Sequence, residues 1–549
     1  MNKGVRKHEA GTGPSARTGD DGSKRKRQFV LHPVLFAAFP VLYLYAHNIQ
    51  EGVSGSDLLR SLVVVIGGTA VLFAFAFLLL RDQRKAGLAA SALVLVFFSY
   101  GHVYNALAGT RIAGVLVGRH KIIGPLWVVL AVAVVIAAIR TKKRLFELTT
   151  ILNVVAAGLV LINVVSVYQY QARSKAAERA AIKESAAGFE GHLPDTNEIR
   201  ERAAAVGDRG SRPDIYYIML EEYGGEPGLR HVFGFDNSAF LRSLEQRGFY
   251  VAHQSTANYP RTSLSLASSL NMEYLDFLTA TLGRNSNDVR PLTRLIRYNR
   301  VGLFLKSIGY QYIHIASWWE PTRVSPIADR NVLYGVYGGL SEFDKVLYET
   351  TALPLLRRDE FRRREWKRVQ FDFNAVEQTR RLKSPKFVFA HILVPHGPFV
   401  FKPNGRYKTL EDVNGETRSQ NYIDQVRYAN SRVLRMIDTL LRGRESARPV
   451  IVLQSDEGPF EGAPWAWKTI SSTNLMRKFP ILNAYYLPGQ NHADLTPLIT
   501  PVNSFRLVFR LYFGADLATL PDHNYVFRSV KHIYDFTDVT DQVRALLSG

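Results

Sequence analysis

Apolar residues gather in five long runs near the start of the chain, at 29–47, 61–80, 86–107, 122–139 and 148–168. Each holds about 18–22 residues, enough helix to cross a hydrocarbon core of about 30 Å. Five such runs in succession are hard to bury in a soluble protein. The pattern therefore predicts five transmembrane helices over 29–168. The first run is no cleavable signal peptide, because no A-x-A site follows it and further apolar runs succeed it.

Beyond the fifth run the pattern changes. Residues 169–211 are a polar connector rich in Ala, Arg and Glu, opening with a juxtamembrane helix. From 212 to 549, short β-branched or aromatic runs alternate with helical ones. Strands are predicted at 215–220, 248–252, 310–316, 387–394, 449–455 and 482–487. Helices are predicted at 237–247, 263–272, 299–308, 418–443 and 498–513. This alternation predicts an α/β domain, a central mostly parallel sheet flanked by helices. No internal repeat is visible.

Charge orients these parts. The net charge is +21. Residues 1–28 form a basic arm poor in apolar residues, read as a disordered cytoplasmic segment. Such an arm suits nucleic acid or a membrane face; the apolar runs favour the membrane, and no nucleic-acid partner is expected. The arm and the loops 81–85 and 140–147 carry fifteen Lys or Arg, against four in the loops 48–60 and 108–121. The positive-inside rule then places the amino terminus in the cytoplasm, and five spans place residues 212–549 outside. The chain has no cysteine, which excludes disulfides, thiolate metal sites and a cysteine nucleophile.

Four segments of the second domain offer chemistry. One strand ends in Leu220-Glu221-Glu222. A loop enters a helix through Tyr259-Pro260-Arg261-Thr262-Ser263. Another strand contains His391 and runs into His396-Gly397-Pro398-Phe399. A third ends in Ser455-Asp456-Glu457-Gly458. Each has an ordinary reading. Thr262 suits a helix N-cap, Asp456-Glu457-Gly458 a plain turn, His391 a core histidine and His396 a polar loop. Together they are the parts of a metal-assisted phosphoryl-transfer site: carboxylates for the cation, a hydroxyl at a helix start, and a histidine for the leaving oxygen.

In order and wording these segments resemble the alkaline phosphatase/sulfatase superfamily, and within it membrane-anchored enzymes similar to lipoteichoic acid synthase. The resemblance implies a bacterial plasma-membrane protein with an extracytoplasmic catalytic domain. It implies transfer of a phospho-alcohol headgroup, such as glycerol phosphate, from a membrane phospholipid to a cell-surface glycan or glycolipid. By the same resemblance Thr262 is the nucleophile, forming a phosphothreonine, and His396 binds substrate or serves the leaving group. Glu221, Thr262, Asp456 and Glu457 are the implied metal ligands, and Trp319 and Arg323 the implied headgroup contacts. The family often has Asp-His-Gly where this chain has Asp456-Glu457-Gly458. An all-oxygen ligand set favours Mn²⁺ or Mg²⁺ over Zn²⁺. Sulfatase chemistry is disfavoured, because the formylglycine motif is absent. Disulfide-bearing phosphoethanolamine transferases are disfavoured by the lack of cysteine. A surface phosphodiesterase or sulfatase-type hydrolase and a catalytically silent polymer-binding protein remain the alternatives.

Overall fold

The computed structural model describes residues 28–107, 110–112, 115–141, 145–187, 212–335, 340–356, 359–443, 448–459 and 470–548. All but the last residue of the basic arm, and residues 188–211 of the connector, lie outside the described residues.

The five apolar runs form five helices: α1 (His32–Asn48), α2 (Gly55–Leu80), α3 (Gln83–Leu107), α4 (His120–Arg140) and α5 (Leu145–Ala187). Four of them, α2 to α5, are long and apolar enough to cross a membrane. The expected count of five is corrected to four. α1 has 17 residues, with Pro40 inside it. At 1.5 Å per residue it spans about 25 Å, short of a full hydrocarbon core. It packs inside the same bundle through Phe36, Ala37, Val41 and Tyr45. The juxtamembrane helix predicted after residue 168 is a continuation of α5, not a separate element.

The bundle has two distinct ends. At one, Gln28 Nε2 donates to the Phe146 carbonyl, Asn153 Nδ2 donates to the Phe29 carbonyl, and the Arg84 guanidinium lies over the Phe146 ring. The basic loops meet there. At the other end sits the α/β domain. The Val289 N–H donates to the Gln50 carbonyl at 3.1 Å, Asn287 Nδ2 donates to Gln50 Oε1 at 2.9 Å, and Tyr170 O–H donates to Asp288 Oδ1 at 2.9 Å.

Seven strands form the central sheet: β1 (Ile215–Leu220), β2 (Tyr250–Val251), β3 (Gln311–Ile315), β4 (Arg330–Val332), β5 (Lys386–Ile392), β6 (Val450–Ser455) and β7 (Asn483–Tyr486). Their order is β2-β7-β6-β1-β5-β3-β4. β6, β1, β5, β3 and β4 run parallel, and β7 runs antiparallel to both its neighbours. The central strands are apolar on both faces, as a sheet covered on both sides requires.

The strand parity separates two cores. Ile215, Tyr217, Met219, Phe387, Phe389, Val450 and Val452 face α6 (Thr262–Asn271) and its neighbours. Tyr216, Ile218, Leu220, Val388, Ala390, Ile451 and Leu453 form the second core. There they meet α8 (Glu360–Thr379) and α9 (Arg418–Leu440); the intervening α7 is Glu342–Thr350. α10 (Ser472–Lys478) and α11 (Pro501–Phe513) complete the elements used below. α7, α8 and β4 were not anticipated from the sequence.

Candidate functional site

β1 is the middle strand at the carboxyl end of the sheet. In register, Leu220 lies between Ser455 on β6 and Ile392 on β5, and Met219 between Gln454 and His391. Two steps along a strand return to the same face. Glu221, His391 and Asp456 therefore share the face covered by α6. One ligand atom from each lies within 4.8 Å of the others, and all three residues are buried.

The chain turns sharply just past Glu221. Glu222 adopts a left-handed backbone, φ 56°, uncommon for a residue with a side chain. Neighbours hold it in that state. Its N–H donates to Asp456 Oδ1 at 2.9 Å, the Tyr223 N–H donates to Ser455 Oγ at 2.8 Å, and Tyr422 O–H donates to the Glu222 carbonyl at 2.8 Å. The same contacts tie the ends of β1 and β6 together.

Thr262 is the first residue of α6, and Arg261 occupies the cap position. Thr262 is thus no N-cap. Its Oγ1 donates to Glu221 Oε1 at 3.0 Å and lies 3.4 Å from Glu457 Oε1. Ser265 O–H donates to the Asp456 carbonyl at 2.6 Å, which fixes the helix start against the end of β6.

The polar atoms left over converge. Glu221 Oε2, His391 Nε2 and Asp456 Oδ2 are all buried without a hydrogen-bond partner. Glu221 Oε2 and His391 Nε2 face one another at close range, without hydrogen-bond alignment. Buried polar atoms are rarely orphaned, and three aimed at one point fit a divalent cation. His391 Nδ1 meets Thr322 Oγ1 at 3.0 Å, so a proton held on Nδ1 leaves the Nε2 lone pair for a ligand. Burial lowers the His391 pKa to about 4, with Asp456 opposing, which keeps the imidazole neutral. Burial, then the neighbouring Asp456 carboxylate, raise Glu221 well above the usual carboxylate range.

Of the expected ligands, Glu221 and Asp456 stand in this cluster. His391, read from sequence as a core histidine, stands in the cluster. Glu457 Oε2 is also buried without a hydrogen-bond partner, and Lys478 Nζ lies 2.9 Å from it. Burial raises the Glu457 carboxyl, and the Lys478 ammonium counters it. Burial alone would lower Lys478, but Glu457 and Glu222 outweigh it and raise the ammonium. With His391 the donor set mixes nitrogen and oxygen, which removes the reason for preferring Mn²⁺ or Mg²⁺ over Zn²⁺.

The remaining expected residues are distributed as follows. The His396 N–H donates to the Glu221 carbonyl at 3.2 Å, and its Nδ1 is buried without a hydrogen-bond partner. The Trp319 ring meets the His391 ring edge-on, centroids 5.6 Å apart. Arg323 is paired with Asp57 of α2 and with Glu320, neither of them a residue of the centre.

No family model and no curated protein matches the chain. Several solved structures are similar to it. One is the C-terminal periplasmic domain of EcEptC from Escherichia coli: TM-score 0.39, 13% identity, covering 60% of this chain and 94% of that one. The integral membrane lipooligosaccharide phosphoethanolamine transferase A from Neisseria meningitidis covers more of the chain: TM-score 0.33, 15% identity, 89% and 96% covered. A protein in the alkaline phosphatase superfamily from Vibrio parahaemolyticus is a third, with TM-score 0.36, 13% identity, 58% and 74% covered.

Proposed function

We propose that the chain is a membrane-anchored, metal-dependent phosphotransferase of the alkaline phosphatase/sulfatase type. It moves a phospho-alcohol headgroup from a membrane lipid to a surface glycan or glycolipid. The observation that carries this reading is the Thr262 hydroxyl, bonded to Glu221 Oε1 beside three orphaned ligand atoms. Glu221, His391 and Asp456 would hold the cation, with Thr262 Oγ1 beside it. When bound, the cation offsets charge on phosphate oxygens and on the nucleophile.

In the first half-reaction Thr262 Oγ1 attacks the lipid phosphorus. A bond forms between Oγ1 and phosphorus, and the bond from phosphorus to the diglyceride oxygen breaks. The hydroxyl proton leaves along the line to Glu221 Oε1. His396, whose Nδ1 has no partner in the protein, protonates the departing diglyceride oxygen. In the second half-reaction the acceptor hydroxyl gives its proton to His396 and its oxygen attacks phosphorus. The bond to Oγ1 then breaks, and Oγ1 takes back the proton held by Glu221, restoring Thr262.

Two features of the molecule support a lipid donor. The α/β domain rests on the helix bundle. Between them lies a cleft of about 400 Å³, lined among others by Tyr100, His120, Trp318, Lys345 and Pro398. Pro398, two residues beyond His396, contributes to its lining.

The test is intact-mass analysis after incubation with phospholipid vesicles. A covalent adduct on Thr262 is expected, and its mass separates glycerol phosphate from another phospho-alcohol. Thr262→Ala should carry no adduct and release no diglyceride. Wild-type release with no adduct, or release retained by Thr262→Ala, overturns the covalent reading.

A further inference from the structure

One buried ion pair links the bundle directly to the turn beside the candidate centre. Asp57 sits in the first turn of α2 and is only 2% exposed. Arg323 Nη1 donates to both its carboxylate oxygens, at 2.9 and 2.7 Å. Arg323 closes the turn Ser317–Arg323. Within that turn the Ser317 N–H donates to the Thr322 carbonyl at 3.1 Å, and the Ser317 and Thr322 hydroxyls meet at 2.8 Å. The Thr322 carbonyl is also held by His314 Nε2 at 2.7 Å.

The turn's other contacts reach His391. Thr322 Oγ1 meets His391 Nδ1, and the Trp319 ring abuts the imidazole edge. An imidazole ligand keeps its tautomer and ring angle only while the group on its far nitrogen is fixed. That group is a hydroxyl on a turn with no regular secondary structure except one short 3-10 segment, Glu320–Thr322. Asp57 is what anchors the turn from outside the domain.

We propose that Asp57, a residue of a membrane helix, is a positioning residue for the metal centre. It acts through Arg323 and Thr322 on His391. This rests on the metal reading above but goes beyond it: the affinity of a centre built in the α/β domain is set partly by the bundle. Arg323, by the same reasoning, is a tether and not a headgroup contact.

The test uses the full chain in detergent, stripped of metal, with calorimetric titration of Mn²⁺ and of Zn²⁺. Asp57→Asn keeps the shape and an acceptor but loses the charge. It should weaken binding of the tighter cation about tenfold, as should Thr322→Val. The double variant should lose no more than either single one, because both act through one path. The reciprocal variant Asp57→Arg with Arg323→Asp should recover affinity if the pair is the cause. Wild-type affinity in a folded Asp57→Asn protein, with Thr322→Val impaired, overturns the inference and leaves the centre standing. So does full additivity of the two changes. No binding by the wild type removes the centre itself, and the inference with it.

Discussion

At the scale of residues, His391 joins Glu221 and Asp456 in the buried cluster. It sits in an apolar strand, Phe387-Val388-Phe389-Ala390-His391-Ile392, and from sequence alone a satisfied core histidine is the commoner meaning. Parity held the missing signal. His391 lies on the same face as Phe387 and Phe389, the face that α6 covers, and Glu221 and Asp456 leave their strands on that face too. Strand pairing, which no single sequence displays, was needed to see it. Glu457 shows the converse. Its partner Lys478 lies 21 residues on, in α10, with no pattern to point to it. His391→Ala should therefore weaken cation binding by tenfold or more, whereas Glu457→Gln should leave it within about threefold. Titration of both variants decides between the two ligand sets; the reverse ranking restores Glu457 as a ligand.

The pH dependence of the centre follows from the same residues. Glu221 titrates well above the ordinary value of 4.5, so a cation must displace its proton. Affinity should rise with pH until Glu221 is ionised in the free protein. The sign for stability is opposite. A raised folded-state pKa gives stabilisation that is complete below 4.5 and lost as pH climbs through the folded value. His391, lowered from 6.5 to about 4, stabilises above 6.5 and ceases to as pH falls toward 4. Above 6.5 the His391 contribution no longer changes. Added cation should raise the melting temperature more as pH climbs above the ordinary carboxylate range. A gain independent of pH throughout would remove Glu221 from the ligand set.

At the scale of elements, the catalytic end is held by contacts between segments remote in sequence. Gly458 shows how close they come. A Cβ there would lie 2.1 Å from the Arg477 carbonyl oxygen, so the turn after β6 and α10 approach to a distance only glycine allows. The Gly458 N–H donates to the Lys478 carbonyl at 2.8 Å, and Lys478 Nζ donates to the Gly458 carbonyl at 3.0 Å. That contact delivers the ammonium to Glu457, with side-chain exposures of 3% and 2%. Breaking a buried ion pair from one side leaves an unpaired charge and costs about 3–5 kcal/mol. Lys478→Met should lower stability by that order in denaturant titration. Adding Glu457→Gln should restore part of it, because no charge is then stranded; a double variant as unstable as the single one would assign the loss to packing instead.

Which elements were legible depended on their pattern. The strands of the catalytic end were legible because central parallel strands are continuous apolar runs. α8 was not. Its sequence, Glu-Phe-Arg-Arg-Arg-Glu-Trp-Lys-Arg-Val, is dominated by charge, and its buried face carries Glu365, Arg368 and Asp372 among the apolar residues. Hydrophobic periodicity does not register a face of that kind. α1 erred the other way: its composition is apolar throughout, but the helix stops at 17 residues.

At the scale of the molecule, the arrangement of the two parts carries the orientation. The sequence argument needed an odd number of spans, and among the described residues four helices are long and apolar enough to cross a membrane. The contacts between the two parts offer a different route to the same expectation. Among the described residues, the α/β domain meets the bundle through Gln50, Asp57, Gly101 and Tyr170, and the basic loops gather at the other end. A Cβ on Gly101 would lie 2.0 Å from the Glu349 carbonyl oxygen, so α7 rests directly on α3. The positive-inside rule expects the basic loops in the cytoplasm, and with them the domain at the opposite end outside. The absence of cysteine makes this testable on a clean background. Gln83→Cys lies exposed at the basic end, and Arg406→Cys lies exposed on the α/β domain. In intact spheroplasts a membrane-impermeant maleimide should label Arg406→Cys and spare Gln83→Cys, and lysis should make both reactive. Labelling of Gln83→Cys alone before lysis would put the catalytic domain in the cytoplasm and end the case for a surface glycan as acceptor.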